Sequence, residues 1–416
     1  MSDEALKGYK CPNCGAPLVY KGDVQKMVCE FCDSQFEMSD FSEDTLHRDE
    51  ATDWQQNHAA AMDESGMKEY VCKSCGAGLV TAEGTGATEC PYCGNPVVVS
   101  ETFSGMNVPD GVLPFKVDKK SAKDALLNFY KGKKLLPNDF VESNHLDNIT
   151  GLYVPFWLFS CGASADAFYE AKKERKVKDG DDDKTEVKEY RVQRSGSMSF
   201  ENVPADGSKE MNNAYMDSLE PFDYKDIVDY NPAFLQGYLA NKYDEDQKEV
   251  EERVDRRMRS TVSEKLRETV KGYDSVTEIS CDVSFSDPLI KCCLLPVWML
   301  STRYGDGVYS FAMNGQTGEV TGDLPIDKGK QTFWFCIPAL ICFAVIMLAL
   351  AFTGHLETWP VVFALLASLI VGAVYVGGER SKMSSHEGTD AGRYLNHESV
   401  NISVRTDRHI RTYYED

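Results

Sequence analysis

The sequence predicts a multidomain protein that combines two small cysteine-rich ribbons, an α+β domain and a C-terminal apolar helical hairpin. Three observations support this fold class. Eight of the 14 cysteines form four Cys-x-x-Cys pairs before residue 94, helical and strand-like segments fill the middle of the 416-residue chain, and two long uncharged segments follow residue 331. The predicted domains are the ribbons (1–36 and 70–100), an acidic spacer (37–69), the α+β domain (110–326), the hairpin (331–378) and a tail (379–416).

The charge balance limits the possible partners. Lys and Arg number 44 against 66 Asp and Glu, a formal net charge of −22, and residues 1–100 alone carry 7 basic against 17 acidic side chains. Binding to nucleic acid depends on Lys and Arg that neutralise phosphates. The composition therefore argues against a nucleic-acid-binding protein.

The paired cysteines form two sets with the same spacing. In each set 14 residues separate the inner cysteines, and the second set repeats the first with Cys72 in the place of Cys11. The flanking residues also repeat, since YKCPNCGAPLVY begins at Tyr9 and YVCKSCGAGLVT at Tyr70. This is an internal duplication. The members are Cys11, Cys14, Cys29 and Cys32 in the first set and Cys72, Cys75, Cys90 and Cys93 in the second.

This spacing predicts one tetrahedral four-cysteine zinc site in each ribbon. A tight Cys-x-x-Cys turn presents two sulfurs to one ion, and the glycine that follows permits a left-handed backbone. Four thiolates leave no open coordination position, so both Zn²⁺ sites are expected to be structural. Asp33 replaces this glycine after Cys32. Iron is an alternative metal for these sites. The cysteines could also serve as redox pairs or disulfides, but four pairs in register argue against redox pairs and an N-terminus without an apolar segment argues against disulfides.

Two uncharged segments predict a membrane hairpin. Thr332–Phe352 is long enough for a helix of about 31 Å that crosses the hydrocarbon core. Pro360–Val376 is shorter and near the lower limit for a span, and a buried or re-entrant helix is the alternative there. Lys and Arg flank the outer ends of the two uncharged segments and are absent from the short link between them. We therefore expect a multi-pass cell-membrane protein with both termini and the ribbons in the cytoplasm.

The middle of the chain alternates between helical and strand-like patterns. Residues 244–272 carry an apolar residue every four positions, which predicts a long helix with one buried stripe. Gly151–Ser160 reads as a buried strand that pairs with the following segment 163–177. A meander is predicted from residue 294 onwards because Gly305-Asp306-Gly307 and Asn314-Gly315 mark turns. LYVPFWLFS and CLLPVWMLS align at Pro155 and Pro296, which indicates a second duplication.

No established catalytic motif occurs in the sequence. It contains neither a phosphate-binding G-x-x-x-x-G-K-[ST] loop nor an H-E-x-x-H zinc motif, and no nucleophile elbow. No catalytic residue, cofactor-binding residue or small-molecule substrate is therefore predicted.

The order of these parts resembles a family of bacterial membrane-anchored zinc-ribbon proteins, described as TFIIB-type zinc-ribbon membrane proteins of phage-shock-type envelope-stress operons. The resemblance rests on the paired ribbons, GLYVPFWLF, LPVWMLSTRYGDGVYSFAMNGQTGEVTGDLP and the late hairpin. It implies phage-shock A-like or SPFH-type proteins as partners.

We therefore expect a non-enzymatic adaptor that recruits cytoplasmic or membrane proteins to the bacterial membrane. The alternatives are a membrane-tethered nucleic-acid-binding regulator that uses the ribbons, and an enzyme whose site lies in the α+β domain between the duplicated halves.

Overall fold

The computed structural model describes residues 9–44, 67–72, 77–82, 90–92, 100–102, 109–143, 146–179, 182–209, 213–241, 247–305, 307–354, 358–384 and 390–415. The strands are β1 (Leu18–Lys21), β2 (Lys26–Cys29), β3 (Gln35–Phe36), β4 (Met67–Val71), β5 (Gly78–Ala82), β6 (Ser100–Thr102), β7 (Gly111–Val112), β8 (Thr150–Asp179), β9 (Asp182–Asp206), β10 (Val228–Asp229), β11 (Leu239–Asn241), β12 (Ser275–Tyr304), β13 (Gly307–Asn314), β14 (Val320–Gly322) and β15 (Leu395–Glu415). The helices are α1 (Lys119–Tyr130), α2 (Asn138–Ser143), α3 (Asn213–Ser218), α4 (Gln247–Glu268), α5 (Lys328–Thr353) and α6 (Thr358–Ser381).

Four long antiparallel strands form the centre of the molecule in the order β12-β8-β9-β15. β8 and β12 have 30 residues each, about 100 Å of extended chain. The expectation that residues 151–160 pair with 163–177 is wrong, because both belong to the single strand β8. The segment between them contains one glycine, Gly162, and no turn that reverses the chain, so the strand continues.

Helix α4 covers one face of this sheet, as its repeat predicted. Its apolar residues pack against alternate residues of β8, from Trp157 to Ala171, and against β9. The period of four therefore places one stripe of the helix in the core while its charged faces stay in contact with water. The buried stripe consists of Val250, Val254, Met258, Val262 and Leu266, and the buried Val270 continues it just after the helix.

The two halves of the second duplication pair with each other. Val154 and Leu295 occupy matching positions of the aligned segments, and they are also cross-strand partners of β8 and β12. The two related segments therefore run antiparallel about a local two-fold axis that passes through this pair. The predicted meander is confirmed as β12-β13-β14.

The two segments predicted to be ribbons are joined to the α+β domain more closely than the predicted domain boundaries imply. β4, β5 and β6 belong to the large sheet, because β5 pairs with β11, which in turn pairs with β8. β1, β2 and β3 form their own small sheet. Tyr20 and Met27 of this sheet nevertheless share a core with Phe115 and Tyr153.

The predicted tail is also part of the fold. Residues 395–415 form β15, which pairs with β9 along most of its length. Its side chains are mostly exposed, and apolar and polar residues alternate only from Val400 to Arg405, so the strand signal in the sequence is short.

Two helices are long and apolar enough to span a membrane, in agreement with the predicted hairpin. They are α5 and α6, which pack against each other, and Gly372 of α6 lies against the Phe335 carbonyl oxygen and the Ala339 side chain of α5. The second helix extends from Thr358 to Ser381, well beyond the uncharged segment that is visible in the sequence.

A buried ion pair joins α4 to the segment after α3, and a tyrosine that follows the hairpin donates to it. Arg257 donates to both carboxylate oxygens of Glu220, at 3.2 and 2.8 Å, and the Tyr394 hydroxyl donates to the same carboxylate at 2.7 Å. Burial raises the pKa of Glu220, and the Arg257 charge opposes that shift. The Glu220 carboxylate therefore connects the segment after α3 with Arg257 of α4 and with Tyr394 inside the core.

We expect Arg257→Met to lower the free energy of unfolding by about 3–5 kcal/mol, because it leaves the Glu220 carboxylate buried without its partner. Arg256→Met is the matched control, since Arg256 is the exposed neighbour on the same helix and its loss is expected to cost no more than about 0.5 kcal/mol. Denaturant unfolding of the detergent-solubilised protein measures both. Equal effects of the two substitutions would contradict a structural role for the pair.

Candidate metal centre

Two similar backbone turns hold the first cysteine set. In the first turn the Cys11 N–H donates to the Ala16 carbonyl oxygen at 2.7 Å and the Gly15 N–H donates to the Cys11 carbonyl oxygen at 2.8 Å. In the second turn the Cys29 N–H donates to Ser34 and the Asp33 N–H donates to Cys29, both at 2.9 Å. The β1–β2 hairpin brings the turns together, because Leu18 pairs with Cys29.

This arrangement brings all four sulfurs into one cluster. The Sγ atoms of Cys11, Cys14, Cys29 and Cys32 lie within 4.8 Å of one another. The Sγ–Sγ distance is 3.6 Å between Cys11 and Cys32 and 3.4 Å between Cys14 and Cys29. A tetrahedral zinc ion with bonds of about 2.3 Å separates its sulfurs by about 3.8 Å. The cluster therefore has the size of a four-thiolate zinc site.

The four thiols are unequally exposed. Cys11 and Cys29 are buried in the core that the small sheet shares with the body, whereas Cys14 and Cys32 are exposed. Hydrogen bonds from the side chain and then the backbone of Ser34 lower the pKa of Cys32. A backbone hydrogen bond to Ala16 lowers the pKa of Cys14, but hydrogen bonds to Cys29 and Cys32 outweigh that effect, so the pKa of Cys14 is raised. The exposed pair provides a route for the ion to enter, and four cysteines complete its coordination, so the site suits a structural role.

In the first cysteine set, the residue after the second cysteine of each Cys-x-x-Cys pair adopts the left-handed conformation that the sequence predicted. Gly15 has φ of 76° and Asp33 has φ of 56°. Asp33 therefore takes the same backbone shape as the glycine it replaces, at a steric cost of about 1 kcal/mol for a residue with a side chain.

The second cysteine set is described only in part. Cys72 and Cys90 are buried, while Cys75 and Cys93 lie outside the described residues, so the second site stays a prediction. The duplication is nevertheless visible in the backbone. The Cys72 N–H donates to the Ala77 carbonyl oxygen at 2.9 Å, and this bond is the equivalent of the one from Cys11 to Ala16 in the first set.

A cleft separates the small sheet from the body, beside Trp298 of the duplicated Pro-Trp segments. Its volume is about 790 Å³, and Trp298, Tyr238 and Val19 line its apolar part. Three of the charged side chains at the cleft have partners, since Lys21 pairs with Glu30 at 2.5 Å and Asp118 accepts from the Ser121 N–H at 2.8 Å. Asp23, Lys119 and Lys120 also line it. Of the two duplicated tryptophans, Trp298 lines the cleft and Trp157 is buried in the core. The duplicated Pro-Trp segments indicate Trp298 as a candidate lining residue, but no local pattern predicts that the small sheet forms the opposite wall.

Comparison with known proteins places the chain in a family. It is 32% identical over 327 residues to the uncharacterized protein YdjG of Bacillus subtilis (strain 168), an alignment that covers 79% of this chain and 92% of YdjG. The chain belongs to the YdjG family. No family model matches the sequence, and no solved structure matches it. The YdjG family therefore gives this chain relatives but no assigned activity.

We expect Asp33→Gly to stabilise the metal-bound ribbon by about 0.5–1 kcal/mol, because glycine adopts φ of 56° without steric cost. The measurement is the rate at which a chromogenic chelator removes the metal, which should fall by a factor of about 2–5. Asp33→Ala is the control, since alanine keeps the strain. Faster release from the Gly variant than from the wild type would contradict this explanation of the turn.

Proposed function

We propose that this protein is a non-enzymatic adaptor that the helical hairpin anchors in the bacterial membrane. Both termini and the ribbons lie in the cytoplasm, where the folded body binds cytoplasmic or membrane proteins and recruits them to the membrane. A role in envelope stress, with phage-shock A-like or SPFH-type partners, follows from the resemblance noted above and belongs to the same proposal.

The observation that carries this proposal is the direct attachment of the folded body to the hairpin. The Asp327 N–H at the start of α5 donates to the Leu135 carbonyl oxygen at 2.9 Å, and the Leu324 N–H donates to Met383, just after α6, also at 2.9 Å. Tyr215 and Ser384 both donate to the Asp323 carboxylate. Such contacts hold the body at a fixed height above the bilayer, which suits a docking platform better than a flexible tether.

The chemistry of the metal centre supports a role without catalysis. In a site closed by four thiolates, zinc stabilises the ribbon by an energy on the order of 10 kcal/mol and offers no free position to a substrate. The first ribbon holds Tyr20 and Met27 in the core of the body, so metal loss would disturb the neighbouring cleft.

The enzyme alternative would use the cleft beside Trp298. That cleft lies in a suitable place, between two folded units. Three of its charged groups, however, are engaged within the chain, because Lys21 pairs with Glu30 and Asp118 caps α1. This arrangement favours a surface that binds a protein segment over one that activates a small molecule.

The first test measures metal content and partner capture together. We expect two zinc ions per chain, one lost in Cys11→Ser/Cys14→Ser and the other in Cys72→Ser/Cys75→Ser. With the wild type, crosslinked pull-down from native membranes should capture a small set of proteins. With either metal-site variant, these proteins should no longer be captured. Cys336→Ser/Cys342→Ser in α5 is the matched control. Unchanged capture by metal-free variants that remain folded would refute the role of the ribbons.

The second test concerns orientation. An epitope inserted after Gly354, between the helices, should be accessible to antibody on intact spheroplasts, whereas one at the C-terminus should require permeabilised cells. The reverse pattern, or accessibility of both epitopes, would contradict the cytoplasmic location.

A further inference from the structure

A basic surface surrounds the helix ends that face the folded body. It combines three segments that are far apart in the sequence, residues 131–134, 327–330 and 379–382. Together they carry seven basic and two acidic side chains, a net charge of +5 in a chain whose total is −22. We call these three segments the basic collar.

Specific contacts bring the segments together. Lys133 donates to the Lys382 carbonyl oxygen, and Lys330 Nζ donates to the Leu136 carbonyl oxygen at 2.6 Å. Lys134 Nζ lies 2.6 Å from the Tyr375 hydroxyl and 3.3 Å from Glu379. The loop after α1 is therefore fixed against the ends of both apolar helices, and its charge adds to theirs.

Aromatic side chains mark the level of the collar. The ring centroids of Trp334 and Tyr375 are 6.1 Å apart, and Lys134 Nζ lies 4.7 Å from the centroid of Trp334. Trp and Tyr concentrate where a spanning helix crosses the lipid headgroups. If α5 and α6 span the bilayer, the collar lies at the headgroup level.

The positive charge of the collar is poorly neutralised within the chain. Glu379 accepts from Lys382 at 3.1 Å and pairs with Lys134, and Asp327 caps the start of α5. Among the described residues, the exposed side chains of Lys328 and Arg380 form no ion pair. Burial and then the charge of Lys382 lower the pKa of Lys133, as expected where cations crowd.

We propose that the basic collar binds the headgroups of anionic phospholipids. Basic clusters directly beside spanning helices attract anionic lipid, and each Lys or Arg strengthens the attraction about fivefold. The inference rests on the proposed membrane anchorage. It gives the otherwise acidic body a surface that attracts the membrane and fixes its orientation there.

The test uses the full chain in mild detergent and native mass spectrometry to titrate phosphatidylglycerol against phosphatidylcholine. The wild type should bind phosphatidylglycerol at least about tenfold more tightly. Lys131→Gln/Lys328→Gln/Arg380→Gln should reduce that preference by about tenfold or more. Arg175→Gln/Lys176→Gln/Lys271→Gln removes the same charge from exposed residues on β8 and after α4, and should leave the preference unchanged.

Three results would overturn the lipid inference. They are equal affinity of the wild type for the two lipids, equal loss of preference in both triple variants, and displacement of phosphatidylglycerol by millimolar inorganic phosphate. Extraction of the wild type from membranes by alkaline carbonate would instead refute the anchor. A result that refutes lipid binding by the basic collar can therefore be distinguished from one that refutes the proposed membrane anchor.

Discussion

The antiparallel pairing of β8 with β12 is the constraint on which the remaining structure depends. Five elements attach directly to this pair: β9 and β11 pair with β8, β7 and β13 pair with β12, and α4 covers one face. Because side chains alternate between the two faces, a shift of one residue would turn the Trp157–Ala171 face away from α4. The apolar stripe of α4 and the register in which β8 pairs with β12 therefore constrain each other.

Much of this arrangement could be predicted from local patterns. The stripe from Val250 to Val270 has a helical period, the meander has its turns at Gly305 and Asn314, and the cysteine spacing specifies the first metal cluster. These features depend on residues close together in the chain, so a single sequence contains the information.

Other features depend on contacts between distant segments. The second half of β15 contains Arg405, Asp407 and Arg408 in a run of exposed residues, and nothing in that run identifies β9 as its partner. The collar joins Lys133 to Lys382, which are 249 positions apart. The cleft beside Trp298 likewise forms between the small sheet and the body. No periodicity or spacing rule connects such segments.

The return of the chain to the sheet after the hairpin has a consequence for biosynthesis. The ribosome completes β9 at Asp206 and β15 only at Glu415, so nearly half of the chain, including both apolar helices, is made between the two partners. The outer edge of β9 stays unpaired while α5 and α6 are being made. An unpaired edge of that length is a template for aggregation. The sheet of the body is therefore completed only by a strand that is made after both apolar helices.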